Sequence, residues 1–388
     1  MSRSSSLRVA TAFVALLLTI AFDGAESSSA VAYPNGLPAD PNFFPIGVWL
    51  QSPQNAPEFR ALGVNTFVGL WQGPTEAQLS ALAKSGMFAI AEQNETALRS
   101  PNAKIIKAWL QGDEPDNAQP SALLGFGPCI PASGVARQSG TLKARDPTRP
   151  VMINFGQGVA YTGWIGRGSC TGDEKYYDTA IKGVDILSFD IYPVASNIPA
   201  VQGKLEYVAR GVDALARRAT KEQSVWSVIE TTSIQSRRRA TGAEVRAELW
   251  MSLIHGAKGI VYFVHEWTDG FREDGIFRHE DVVEEVRRDN RLIQTLAPVL
   301  NSDNRPGLVA ISSPSISAMV KEYGNALYVF AVAMDNKKST VRFQTRVPNG
   351  TAEVLEENRS LAMTNGSFED SFAGYGVHLY RIPLPGRR

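Results

Sequence analysis

An α/β fold, a (β/α)8 TIM barrel followed by a C-terminal antiparallel β-sandwich, is predicted by three features of the sequence. Eight short apolar runs alternate with helical stretches between residues 33 and 300. That alternation belongs to a parallel sheet wrapped by helices, and eight units suit a closed barrel better than an open sheet. After residue 301 the texture changes to short β-branched or alternating segments without helical period. Several of the earlier apolar runs also stop abruptly at acids, amides or aromatic residues, as buried parallel strands do at a polar edge.

Taken in order, the chain opens with Arg3 and Arg8, an apolar run over 9–22, and a small-residue pattern ending Ala30-Val31-Ala32. This predicts a signal peptide over 1–32, cleaved after Ala32. The apolar run is short for a membrane span. The mature chain is therefore expected to be secreted, extracellular or periplasmic, with no membrane attachment after cleavage. The barrel is expected over 33–300, with strands at 44–49, 64–71, 87–93, 105–112, 150–155, 184–192, 225–230 and 259–265. Helices are expected at 75–85, 134–144, 204–219, 241–257 and 280–296, the fourth opened by a capping box, Thr241 to Glu244. The β domain is expected over 301–388, with strands at 308–312, 316–323, 326–334, 340–347, 352–355 and 377–382. Asn349-Gly350 and Asn365-Gly366 supply its turn residues.

Composition narrows the function. Basic and acidic residues balance at 39 each, which leaves no electrostatic footprint for nucleic acid and suits a neutral partner. Four histidines and two cysteines are too few and too scattered to predict a metal centre, and no phosphate-binding glycine motif follows a strand. No cofactor is expected. Oligomeric state is not readable from the sequence.

The strand ends carry the chemistry. Residues 104–116 read KIIKAWLQGDEPD, an apolar run that ends in Gly112 and then delivers Asp113, Glu114 and Asp116. Residues 224–230 read SVWSVIE, ending in Glu230. Two glutamates at the ends of separate strands are hard to explain as packing. Glycoside hydrolysis needs such a carboxyl pair. Around them the predicted strand ends bring Trp71, Asn154, Tyr192, Glu266 and Trp267, with Trp164 in the loop after the fifth strand. Broad aromatic faces suit sugar rings, and acids and amides suit hydroxyl groups. Singly, each has a plainer reading: a tryptophan at a strand end is usually packing, and an acid after a strand often caps a helix.

On these residues the chain resembles the retaining (β/α)8 glycosidases of glycoside hydrolase clan A. Glu114 after strand four matches the clan's acid/base position, and Glu230 at the end of strand seven matches its nucleophile. Asp190-Ile-Tyr192-Pro193 is similar to a motif after strand six in several members. Residues 246–263 resemble the helix-seven to strand-eight segment of the family 42 β-galactosidases. Asp113 stands where many members have asparagine, and residues 64–71 lack an arginine common there. The resemblance implies a β-linked glycan substrate and double displacement. It further implies that Asp113 and Asn154 contact sugar hydroxyls, that Tyr192 bonds Glu230, and that Trp267 floors a sugar subsite. Two other classes stay open: a catalytically silent carbohydrate-binding barrel, and a metal-assisted hydrolase using His265, Glu266 and His279. Cys129 and Cys170, in loops after adjacent strands, are expected to form a disulfide.

Overall fold

The computed structural model describes residues 33–121, 125–164, 173–234 and 236–385. The expected signal peptide and Cys170 lie outside the described residues.

Eight parallel strands close into a barrel: β1 (Ile46–Trp49), β2 (Thr66–Val68), β3 (Phe88–Ala91), β4 (Ile106–Asp113), β5 (Val151–Phe155), β6 (Ile186–Asp190), β7 (Ser224–Glu230) and β8 (Ile260–Phe263). Each strand pairs with its chain neighbours, and β1 pairs with β8 to close the ring. The strands start near the predicted places but are shorter. Val64, Leu70 and Trp71, for instance, lie outside β2 because pairing ends at Val68. Alternate side chains fill the barrel interior, among them Val68, Ile90, Ala108, Met152, Trp226, Val228 and Val261, all nearly solvent-free. Their neighbours along each strand face the helices.

The helices are α1 (Ala56–Ala61), α2 (Glu76–Lys84), α3 (Glu95–Arg99), α4 (Ala132–Arg145), α5 (Glu174–Ala180), α6 (Glu206–Ala216), α7 (Gly242–Ile254), α8 (Glu280–Thr295) and α9 (Ala297–Leu300). The capping box expected at Thr241 is present: its side chain accepts from the Glu244 N–H while Glu244 reaches back. Helix α7 is buried along almost its whole length, since the barrel covers one side and the C-terminal sheet the other.

That C-terminal part is a β-sandwich. Strands β9 (Val309–Ile311), β12 (Ser339–Thr345) and β15 (Ser367–Phe372) make one sheet. The other holds β10 (Ile316–Tyr323), β11 (Ala326–Ala333), β13 (Gly350–Val354), β14 (Arg359–Met363) and β16 (Val377–Pro383). Phe343, Phe368, Val329 and Tyr380 fill the space between the sheets. Strands β14 and β15 were not foreseen. Their alternating faces carry few large apolar residues, so the period is weak. Asn365 and Gly366, both in the left-handed region, make the tight turn between them. Both turns connect one sheet to the other: β14 and β15 lie in different sheets, and so do β12 and β13, which Asn349-Gly350 joins. The second sheet lies on α7, where Phe330 stacks on Trp250 with ring centres 5.5 Å apart. Lys321, wholly buried, donates to the Leu300 carbonyl at 3.0 Å and to that of Ser302, tying the sandwich to the end of α9.

Candidate active site

The organising element is the end of β4. Gly112 shifts the register of β4 against β5 between Leu110 and Asp113, an irregularity of the kind that re-aims side chains beside active sites. Asp113 then pairs with Asn154, and Glu114 follows with φ 41°, in the left-handed region. A non-glycine residue held there costs about 1–3 kcal/mol and persists only where its surroundings enforce it.

Those surroundings are specific. The Glu114 N–H donates to the Asn154 carbonyl at 2.8 Å, and its own carbonyl accepts from the Asn117 N–H and the Gln119 amide, both at 3.0 Å. The Asn117 amide donates to Glu114 Oε2 at 2.9 Å. Gly156 leaves room for the carboxylate, since a Cβ there would sit 3.1 Å from Oε1. Asp116 fixes that glycine: Oδ1 accepts the Gly156 N–H and Oδ2 the Tyr177 hydroxyl, both at 2.8 Å. Burial, opposed by these two bonds, pushes the Asp116 carboxyl up to about 6.

Asn154 links this turn to β6. Its amide nitrogen donates to Asp113 Oδ1 at 2.9 Å and to Asp190 Oδ1 at 3.2 Å, while its oxygen accepts from Ser188 at 2.8 Å. Burial raises the Asp190 carboxyl well above its ordinary range, and the charges of Glu114 and Asp113 raise it further. The Tyr192 hydroxyl hydrogen-bonds Asp190, and burial holds it in its neutral form. This corrects the expected Tyr192–Glu230 bond: β6 presents the tyrosine to the aspartate of its own strand end.

An aromatic path leads away from the acids. Tyr192 meets Phe263 at 5.1 Å, Phe263 stacks on Trp267 at 6.2 Å, and Trp267 meets Phe271 at 5.3 Å. Trp267 and Phe271, with Trp71 and His265, line a cleft of ≈ 480 Å³. Trp71 is 69% exposed, Phe271 58% and Trp267 37%, so the cleft offers aromatic faces to solvent. His265 Nε2 faces the Leu50 carbonyl at 3.1 Å, and burial lowers its pKa.

Other predicted residues are placed differently. Glu230 ends β7 as foreseen but is fully buried. Its oxygens accept from the N–H groups of Val194 and Ala195, at 2.6 and 2.8 Å, in the loop after β6. Burial pushes its carboxyl up to about 7, and Glu248 of α7 is likewise buried, with no hydrogen-bond partner for either oxygen among the described residues. Glu266 is buried, accepting from Ser233 at 2.8 Å and meeting His279 at 3.1 Å. Trp164 lies beside Gly158 and outside the lining of the aromatic cleft. Among the described residues no group of three or more histidines, cysteines or acids has a metal-binding arrangement. Sequence reasoning missed Asn117, Gly156, Phe271 and Glu248 as partners of the site. Only Glu248 left a signal, an acid amid the apolar residues of α7.

No protein-family model matches the sequence, and no curated protein matches it. Solved structures do resemble it. The α-amylase from Geobacillus thermoleovorans complexed with acarbose is 9% identical, with a TM-score of 0.55 over 92% of this chain and 100% of that one. AmyP in complex with maltose gives 9%, 0.53, 90% and 98% in the same order. Eubacterium rectale Amy13B gives 8%, 0.51, 89% and 96%. At such identities the likeness is one of fold.

Proposed function

We propose that this chain is a secreted glycoside hydrolase that cleaves neutral, β-linked glycans at the C-terminal mouth of its barrel. The observation that carries this reading is the enforced left-handed turn that presents Glu114 among Asp113, Asn154, Asp190 and Tyr192, beside an exposed aromatic cleft. Glu114 is assigned the acid/base role. It protonates the departing oxygen, then takes a proton from the incoming water. Asp113 and Asn154 hold sugar hydroxyls, and Trp71 and Trp267 stack on rings. Glu230 is assigned the nucleophile from its place at the end of β7, and the resemblance to clan A, including the family 42-like segment, supports a retaining course. Attack requires its carboxylate to leave the Val194 and Ala195 amides. The solved structures named above include proteins titled as α-amylases, so α-glucans belong in any substrate test.

A second reading, a catalytically silent carbohydrate-binding barrel, is favoured by one observation: Glu230 is fully buried, with its oxygens engaged. One experiment separates the two. The purified protein is incubated with β-glucan, β-mannan, xylan, galactan and starch, and both binding and products are measured. Hydrolysis lost in Glu114→Gln supports the enzyme. Binding without products supports the silent barrel, and neither binding nor products rejects both.

Export and a Cys129–Cys170 disulfide belong to the same proposal. Two free thiols in unfolded, unreduced protein would remove the disulfide.

A further inference from the structure

A cavity of ≈ 390 Å³ lies where the sandwich meets the barrel, and it shares no lining residue with the aromatic cleft. Its volume falls within the range of small-molecule sites, about 300–1,000 Å³. The barrel side is built from the loops after β6 and β7, the first turns of α7 and one face of α8. The sandwich side is Asn336 and the turn 373–376 between β15 and β16. Tyr375 fixes that turn. Its φ is 55°, a left-handed conformation that persists only where the surroundings enforce it. Its hydroxyl lies 3.0 Å from Glu206 Oε2 and 3.1 Å from the Gly203 carbonyl, and its N–H donates to the Asp335 carbonyl at 2.9 Å.

Arg246 lines this cavity, and its side chain is only 9% exposed. Among the described residues its guanidinium donates through Nη1 alone, to Asp289 Oδ1 and, at 3.5 Å, to Glu285 Oε1. Nε and Nη2 have no acceptor there, yet neither is among the wholly enclosed polar atoms that lack a partner. The remaining side of the guanidinium is therefore open to the cavity. Nε–H and Nη2–H point the same way, and such a pair grips a carboxylate with two parallel hydrogen bonds.

The other charged groups agree with an anion. Arg238 and Arg288 stand at the exposed rim, the first engaging Glu244 and the second Glu285 through Nη2. Glu244 is further occupied by Thr241, whose N–H and hydroxyl both lie 3.0 Å from Oε2. Three arginines thus face two glutamates that are already paired, which leaves the lining positive. Asn336 brings an exposed amide able to hold a hydroxyl.

We propose that this cavity binds a small hydroxylated carboxylic acid, with the Nε and Nη2 side of Arg246 as its anchor. The acid is either a sugar acid or a free organic acid, since the two share the carboxylate and the neighbouring hydroxyls. The site is separate from the barrel mouth and stands whether or not Glu114 hydrolyses a glycan.

The test is isothermal titration of the full chain with D-glucuronate, L-malate and D-glucose, which needs no turnover. One or both acids are expected to bind and glucose is not. Tighter glucuronate marks a sugar acid, and tighter malate a free organic acid. Arg246→Lys keeps a cation for Asp289 but loses the paired donors, and is expected to weaken acid binding by about tenfold or more. Should that variant fail to fold, Arg288→Gln at the exposed rim is expected to weaken it about threefold. Trp71→Ala is expected to leave acid affinity unchanged. The proposal is overturned if neither acid binds, or if glucose binds as well as the acids do. Unchanged acid affinity in Arg246→Lys, or in Arg288→Gln where the lysine variant does not fold, also overturns it. So does acid binding that is lost in Trp71→Ala, which would put the ligand in the aromatic cleft.

Discussion

Asn117 Nδ2 lies 2.9 Å from Glu114 Oε2, inside the turn that Glu114 itself opens. The turn thus carries its own orienting group: the same few residues that force Glu114 into the left-handed region also hold its carboxylate. A bond of this kind holds the carboxyl group in one rotamer.

Glu114→Gln is expected to lower kcat/KM on unactivated glycans by about 10²–10⁴-fold, the usual worth of a general acid–base group. Aryl glycosides with good leaving groups should lose far less, since their departure needs no proton. Azide should restore turnover in Glu114→Ala with retained configuration. Inverted azide product is expected instead from Glu230→Ala. An inverted product from wild type would reject the assigned roles, because retention needs the carboxyls about 5–5.5 Å apart.

Gly156→Ala places a methyl 3.1 Å from Glu114 Oε1 and 3.3 Å from its Cδ. The carboxylate can yield, so folding should survive while catalytic geometry does not. We expect a loss in kcat on the order of 10–100-fold, with little change in melting temperature. A drop in melting temperature with unchanged kcat would show that the strain falls on the fold.

Trp71→Ala removes a side chain that is 69% exposed and contributes little to the core. Its expected effect is on ligand affinity, a rise of about tenfold in KM or Kd for oligosaccharides, from lost ring stacking of about 0.5–1.5 kcal/mol beyond area burial. Isothermal titration with a xylan or β-glucan oligosaccharide measures it. Unchanged affinity would place the glycan elsewhere.

The Glu230 carboxyl is raised from its ordinary 4.5 to about 7, chiefly by burial. As a nucleophile it would be ionised above that value, so kcat/KM should rise with pH through about 7. For stability the sign is opposite. The folded form binds the proton more tightly, so this group's contribution is full below pH 4.5 and is lost as pH rises through 7. Urea titrations of wild type and Glu230→Gln from pH 4 to 8 test it.

Lys321 is pushed down from 10.5 to about 8, mainly by burial. The unfolded chain therefore binds the proton more tightly. Stability should rise as pH climbs from about 8 to 10.5 and stay flat in this respect below 8. Lys321→Met is expected to flatten that rise in a urea titration series. It also leaves the Leu300 and Ser302 carbonyls without this donor, a loss of about 1–3 kcal/mol at neutral pH. No change in either quantity would show that Lys321 does not tie the sandwich to α9.

The sequence alone determined the barrel and the sandwich, because the repeated apolar run and the change of period after residue 301 are local patterns. It also placed Glu114 and Glu230 at strand ends, since an apolar run that stops at an acid marks a polar edge wherever the strand lies. Only the tertiary structure decided what those strand ends do. A carboxylate at the end of a strand can face the mouth or turn toward the helices. That choice depends on groups distant in the chain, with the Val194 and Ala195 amides holding the carboxylate of Glu230. Glu114 is held by Asn154, Asn117 and Gly156, and the register shift at Gly112 is set by pairing with β5. The same is true of Tyr192 and Glu266, whose partners come from their tertiary surroundings. Periodicity records which side of a strand is apolar, whereas hydrogen-bond partnership depends on three-dimensional proximity that no local pattern carries.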